Sequence, residues 1–163
     1  SSSSGEKIAV WLPEVLKGNI FVTDVDSSIS FSDLQPLNGT NDLDELDLAL
    51  GSENFTDSVR KIYDKNGDGV ADNFATFDIF GRNVTNVPVV NTTSGSIWLT
   101  GILWDASDGG TEYNGTQDVV FIVEIKDNST GAFGMNDYEI RVPVLLRSLR
   151  AGEDKIAFYV EVK

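Results

Sequence analysis

The sequence predicts an antiparallel β-sandwich, immunoglobulin-like or jelly-roll-like, with one short helix next to a metal-binding loop. Three observations carry that prediction. Eight or nine short segments alternate apolar and polar residues with a period of two, as strands buried on one face do. Clusters of Gly, Asn, Asp and Ser separate those segments as turns. The strand–helix–strand alternation that a parallel sheet requires is missing.

Ser1-Ser2-Ser3-Ser4-Gly5 reads as a flexible or exchanged leash over residues 1–6, and residues 7–163 as one domain. In the first strand, Lys7–Leu12, Ile8, Val10 and Leu12 share a face, and Pro13 ends it. This is either an ordinary first strand or a donor strand that completes the sheet of a neighbouring subunit. Strands at Asn19–Val25 and Ser28–Leu34 follow around a tight turn at Asp26 and Ser27. Leu43–Leu50 places Leu46, Leu48 and Leu50 on one face and reads as a half-buried strand. From Asn54 to Tyr63 the period changes: Phe55, Val59, Ile62 and Tyr63 fall at helical spacing behind a Ser52 or Asn54 cap. Further strands are expected at Phe74–Phe80, Val84–Val90, Ser96–Trp104, Val119–Lys126, Tyr138–Leu146 and Lys155–Val162, with Pro143 marking an edge or bulge. Gly131-Ala132-Phe133-Gly134-Met135 reads as a turn with Phe133 tucked against the core.

The helix runs into Asp64-Lys65-Asn66-Gly67-Asp68-Gly69-Val70-Ala71-Asp72, the densest set of oxygen ligands in the chain. Asp64, Asn66 and Asp68 stand two residues apart, Gly69 permits the sharp turn, and Val70 offers its carbonyl. Asp72 lies where a direct or water-mediated ligand is expected. Calcium is the expected cofactor, stabilising the connection, and an Asx-rich turn that solvates its carboxylates is the plain alternative. The loop resembles the repeats of the dockerin and type 3 thrombospondin families and the first nine positions of an EF-hand loop. That resemblance covers nine residues and implies a bound calcium ion, not a fold or a partner. Ala75 stands where an EF-hand carries its bidentate Glu, which argues against a sensing switch and leaves Asp78 or a water to complete the shell.

The chain carries 12 Lys and Arg against 26 Asp and Glu, a formal charge of −14, which disfavours nucleic acid and anionic membranes as partners. Without Cys there is no disulfide framework or thiol nucleophile, and without His there is no histidine-dependent triad. No run reaches the apolar length of a membrane-spanning helix. Asn-x-Thr occurs at Asn38, Asn54, Asn83, Asn91, Asn114 and Asn128, where chance placement would give about one. The excess points to covalent N-glycans and an extracellular, cell-surface location.

Two acidic clusters, Asp42/Asp44/Glu45/Asp47 and Asp105/Asp108/Glu112, read as solvated faces, the second also as a weak cation site. Neither singles out the carboxylate pair that a glycosidase needs, so no enzyme is expected. The expected function is non-catalytic: a calcium-stabilised, glycosylated cell-surface or pilus-like filament subunit, a homo-oligomer assembling through Ile8, Val10 and Leu12. The alternative is a carbohydrate-binding module. Its aromatic candidates are Trp11, Trp98, Trp104 and Tyr113, with Trp98 and Trp104 as the stacking platform.

Overall fold

The computed structural model describes residues 16–24, 28–143 and 156–163. Its frame is an antiparallel seven-stranded sheet with two α-helices on one face and a folded-over hairpin on the other. The strands are β1 (Gly18–Asp24), β2 (Leu34–Pro36), β3 (Phe74–Ile79), β4 (Arg82–Asn91), β5 (Leu99–Asp105), β6 (Val119–Glu124) and β9 (Ile156–Val162), in the order β3-β4-β5-β6-β1-β9 with β2 paired to β5. A separate two-stranded hairpin joins β7 (Ser129–Gly131) to β8 (Gly134–Asn136). The fold is therefore a mixed one dominated by antiparallel sheet, and the described strands do not close a barrel.

The three central strands are buried almost throughout, on both faces, because each face has its own cover. On the first face, Phe21, Leu103, Val120 and Ile122 meet Phe77, Ile79, Val84 and Val87 of the β3–β4 hairpin. At Gly101 an added Cβ would stand 2.9–3.0 Å from Val87, Ile122 and Phe77, so glycine is what lets the hairpin lie down there. The hairpin turns at Phe80 and Gly81, both with positive φ (48° and 82°), the conformation whose twist matches the flanking strands. Its tip reaches the opposite edge, where the Phe80 amide donates to Glu161 Oε2 (2.8 Å) and Asn19 Nδ2 donates to the Asp78 carbonyl (2.7 Å).

On the second face, Ile20, Val22, Ile102, Phe121 and Val123 pack under α1 (Asp42–Leu50) and α2 (Val59–Tyr63), with Ile140 and Val142 alongside. Leu43–Leu50 is thus helix, not strand. Leu43, Leu46, Asp47 and Leu50 are buried at helical spacing, Leu48 is 63% exposed, and Gly51 closes the end in a left-handed conformation (φ 70°). The predicted helix at Asn54–Tyr63 shortens to α2. There, the buried Asp47 carboxylate accepts from the Val59 and Arg60 amides (2.8 Å each) and from Ser52 Oγ (2.8 Å), fastening α1 to the first turn of α2.

Ser28–Leu34 forms a 3-10 turn (Phe31–Asp33) and the short β2 instead of a full strand. Tyr138–Pro143 has no ladder pairing, and its Ile140 and Val142 pack against the core under the helices; the rest of that predicted strand, and the Lys7–Leu12 segment with Trp11, lie outside the described residues. Phe133 is not tucked in: it is 79% exposed at the tip of the β7–β8 hairpin.

Candidate functional site

In the loop from Asp64 to Asp72, every ligand-type side chain has turned to the backbone. Asp64 is 1% exposed, and its carboxylate accepts from the amides of Gly67 (2.9 Å), Asp68 (3.2 Å) and Gly69 (2.8 Å). Asn66 Oδ1 accepts from the Asp68 amide (3.0 Å), Asp68 Oδ1 from Val70 (3.0 Å) and Asp72 Oδ2 from Lys65 (2.8 Å). Burial works against the Asp64 charge, but the three amides and the Arg60 guanidinium outweigh it and hold the carboxyl below its ordinary range. Among the described residues no group of three or more Asp or Glu side chains is placed to share an ion. The calcium expectation is overturned. The alternating spacing is that of successive Asx turns, Asp64, Asn66 and Asp68 each capping N–H groups two to five residues ahead, while Asp72 reaches back seven residues to the Lys65 amide.

The aromatic platform also fails. Trp98 is fully buried beneath the β7–β8 hairpin and donates through Nε1 to the Asp137 carbonyl (3.2 Å), so it offers no ring face to a sugar. Trp104 is buried to 5% exposure and lies against Tyr113, ring centroids 6.2 Å apart. The acceptor asparagines Asn38, Asn54, Asn83, Asn91, Asn114 and Asn128 are all exposed.

A cleft of about 670 Å³ opens beside Trp104 and Tyr113. Its lining also includes Asp42, Gly39 and Thr40 around the start of α1, Thr111 and Glu112, and Gln35 and Pro36 of β2. Each wall is fixed locally. Trp104 sits in the middle of the sheet, opposite Gln35 on β2 and Val119 on β6. The loop bearing Glu112 and Tyr113 is tied by Gln117, whose Nε2 donates to the carbonyls of Gly109 (2.9 Å) and Glu112 (3.0 Å) while Oε1 accepts from Asn114 (3.0 Å). The buried Asp105 holds the end of β5, accepting from the amides of Ser30 (2.8 Å) and Ser107 (2.9 Å).

Asp42 is 9% exposed, and Oδ2 accepts from the Gly39 amide (2.8 Å). Burial is the main force raising its pKa; the Gly39 amide opposes the rise, and the charges of Glu112 and Glu45 add to it. Burial likewise raises the Tyr113 phenol, with Asp42 and Glu45 reinforcing it. The cleft thus combines a negative potential with an aromatic wall, an arrangement that repels anions and attracts a cation small enough to enter.

The sequence places Asp42 and Glu112 in separate acidic clusters, the one with Glu112 also as a weak cation site, and offers Trp104 and Tyr113 as aromatic candidates without joining them to either carboxylate. Asp42 and Glu112 come from segments seventy positions apart, which no spacing rule connects. Comparison with family models, with curated proteins and with solved structures finds no match to this chain. The likeness of residues 64–72 to dockerin and type 3 thrombospondin repeats is therefore one of residue spacing alone. With the calcium loop goes the reading of a calcium-stabilised structural or filament subunit, and with Trp98 its carbohydrate-binding alternative.

Proposed function

We propose that this protein is a non-catalytic binding module whose cleft takes a protonated amine or guanidinium, presented as a Lys or Arg side chain on a basic segment of a partner protein. The observation that carries the reading is the nine-tenths-buried Asp42, which lines the same cleft as Trp104 and Tyr113 and lies close enough to act on the Tyr113 phenol. A carboxylate held at a cost in burial is relieved when a cation arrives, and the aromatic wall adds cation–π attraction of about 0.5–2 kcal/mol. The net charge of −14 steers such a partner toward the surface before docking. Export to the cell exterior belongs to this reading, supported by the exposure of all six Asn-x-Thr acceptors. No helix among the described residues is long and apolar enough to cross a membrane.

Titrating a short Lys-rich peptide against an acidic control of equal length, followed by tryptophan fluorescence and calorimetry, tests the proposal. The basic peptide is expected to bind. Asp42→Asn and Glu112→Gln are each expected to weaken it about tenfold, the effect of losing one charge-assisted hydrogen bond. Binding is expected to weaken as pH falls through the raised Asp42 pKa, because only the ionised carboxylate attracts a cation. Equal affinity in both variants would reduce the interaction to net charge alone and overturn the proposed site.

A further inference from the structure

Positive charge is scarce on this molecule, and three cations that no carboxylate has claimed gather in one place. Among the described residues, Arg60 pairs with Asp44 and Asp64, Lys126 with Glu124 and Lys163 with Asp78, and Arg82 gives its guanidinium to the carbonyls of Phe31 and Leu34. No carboxylate of a described residue pairs with Lys61, Lys65 or Arg141. All three line a single cleft of about 680 Å³, which shares no lining residue with the Asp42 cleft.

Each cation is set in place locally. Lys61 stands on α2 with Nζ donating to the Phe55 carbonyl (2.7 Å), which leaves further ammonium hydrogens for a ligand. Lys65 follows α2, and its amide donates to Asp72 Oδ2 (2.8 Å), so the carboxylate that lines this cleft already has a backbone partner. The Arg141 amide donates to Thr100 Oγ1 (3.1 Å), which fixes Arg141 against β5. Burial raises the Tyr63 phenol and the Arg141 charge opposes that rise, so the guanidinium stands near the end of α2. The same lining supplies neutral donors in the side-chain amides of Asn73 and Asn91 and an apolar surface in Phe74, 42% exposed. The stretches outside the described residues bring little net charge of their own. Residues 1–15, 25–27 and 144–155 together hold four Lys and Arg against five Asp and Glu.

We infer that this cleft binds a small organic anion with more than one negative charge, a polycarboxylate or a phosphate ester, held by Arg141, Lys61 and Lys65 with Asn73 and Asn91 as further donors. Hydrogen bonds to charged groups are about twice as strong as neutral ones, and the guanidinium fork matches the paired oxygens of carboxylate and phosphate. The size of the cleft is that of a small-molecule site. A long polyanion would spread over a surface whose net charge is −14 and be repelled, whereas a small one meets only the cleft. Remote carboxylates act weakly on it, because the Debye length at physiological salt is about 8 Å. The site is independent of the Asp42 cleft, which differs from it in residues and in sign of charge.

Titration of the full chain with propane-1,2,3-tricarboxylate, phenyl phosphate and acetate at constant ionic strength tests the inference, read by calorimetry and by the amide resonances of Lys61, Lys65, Asn91 and Gly95. The tricarboxylate or the phosphate ester is expected to bind with a Kd below about 1 mM, and acetate at least about tenfold more weakly. Which of the two binds more tightly assigns the acid. Lys65 and Arg141 are exposed, so Lys65→Gln and Arg141→Gln leave the fold intact, and each is expected to weaken binding about tenfold. Lys126→Gln removes the same unit of charge from the Glu124 pair and is expected to leave binding unchanged. Absence of saturable binding by both multivalent anions would overturn the site. So would acetate binding as tightly as they do, or equal affinity in the three variants.

Discussion

The Asp64 loop and the Asp42 cleft meet at Asn41, whose amide donates to the Gly69 carbonyl (3.1 Å), and both are built from carboxylates close to glycine. In the loop the backbone curls around each side chain, so Asp64 receives three amides and its charge is satisfied inside the protein. In the cleft Asp42 receives the single Gly39 amide and stands near Glu112 and Glu45, so its charge is held at a cost. The same residue type is thus a structural keystone in one turn and, in the other, a buried carboxylate with one amide partner, the feature on which the proposed cation site rests. What separates them is how many amides converge on the carboxylate, and the opposite displacements of the two pKa values record it.

Removing the keystone is expected to have the largest effect. Asp64→Ala leaves the amides of Gly67, Asp68 and Gly69 without their acceptor, at a cost of about 3 kcal/mol in chemical unfolding. Asp64→Asn keeps an acceptor oxygen but loses the charge, and is expected to fall between the two. Because the folded pKa lies below 3.8, this contribution is present above that value and is lost as pH falls through the folded pKa. A loss well under 1 kcal/mol in Asp64→Ala would show that water serves the loop amides equally well.

Asp42→Asn is expected to act with the opposite sign and more weakly. The amide side chain can still accept from Gly39 while removing a poorly solvated charge, so stability at neutral pH is expected to rise by about 1 kcal/mol. The folded pKa lies above 3.8, so the folded state holds the proton more tightly and wild-type stability gains as pH falls through that raised value. Asp64 begins to cost stability only below 3.8, and the two windows therefore lie on opposite sides of that value. Unfolding midpoints measured from pH 7 to pH 2 in wild type and Asp42→Asn separate them: the acid-side gain is expected to vanish in the variant and the loss below it to remain.

Much of the sheet was legible in the sequence because β1, β6 and β9 are runs rich in β-branched and aromatic residues bounded by turn residues, whatever covers them. The double-sided burial of β5 and β6 departs from the one-face burial expected from the sequence, although the continuous apolar runs in Leu99–Trp104 and Val119–Val123 carry its signal. Helix α1 was lost because Leu46, Leu48 and Leu50 alternate while Leu43, Leu46 and Leu50 also fit a helical face; Gly51 immediately after Leu50 was the signal for a helix end. The cleft was not legible. Its carboxylates come from two distant segments, and its meaning depends on burial, which spacing does not encode.

The smallest expected effect is the response to calcium, and it bears on why the loop misled. An ion seated there would have to compete with six hydrogen bonds, three to Asp64 and one each to Asn66, Asp68 and Asp72, and pull those side chains out of the positions that the amides set. Metal binding adds to folding only when ligand oxygens converge on the ion at less cost than they leave their present partners. Here the five donor amides, those of Lys65, Gly67, Asp68, Gly69 and Val70, already organise the turn without it. Millimolar calcium or a chelator is therefore expected to move the thermal midpoint by less than about 1 °C, well below the shift from a single lost charge-assisted bond. A rise of several degrees with calcium, absent in Asp64→Asn, would mean that the loop carboxylates turn to the ion, and would place a cation in the loop and not only in the proposed cleft.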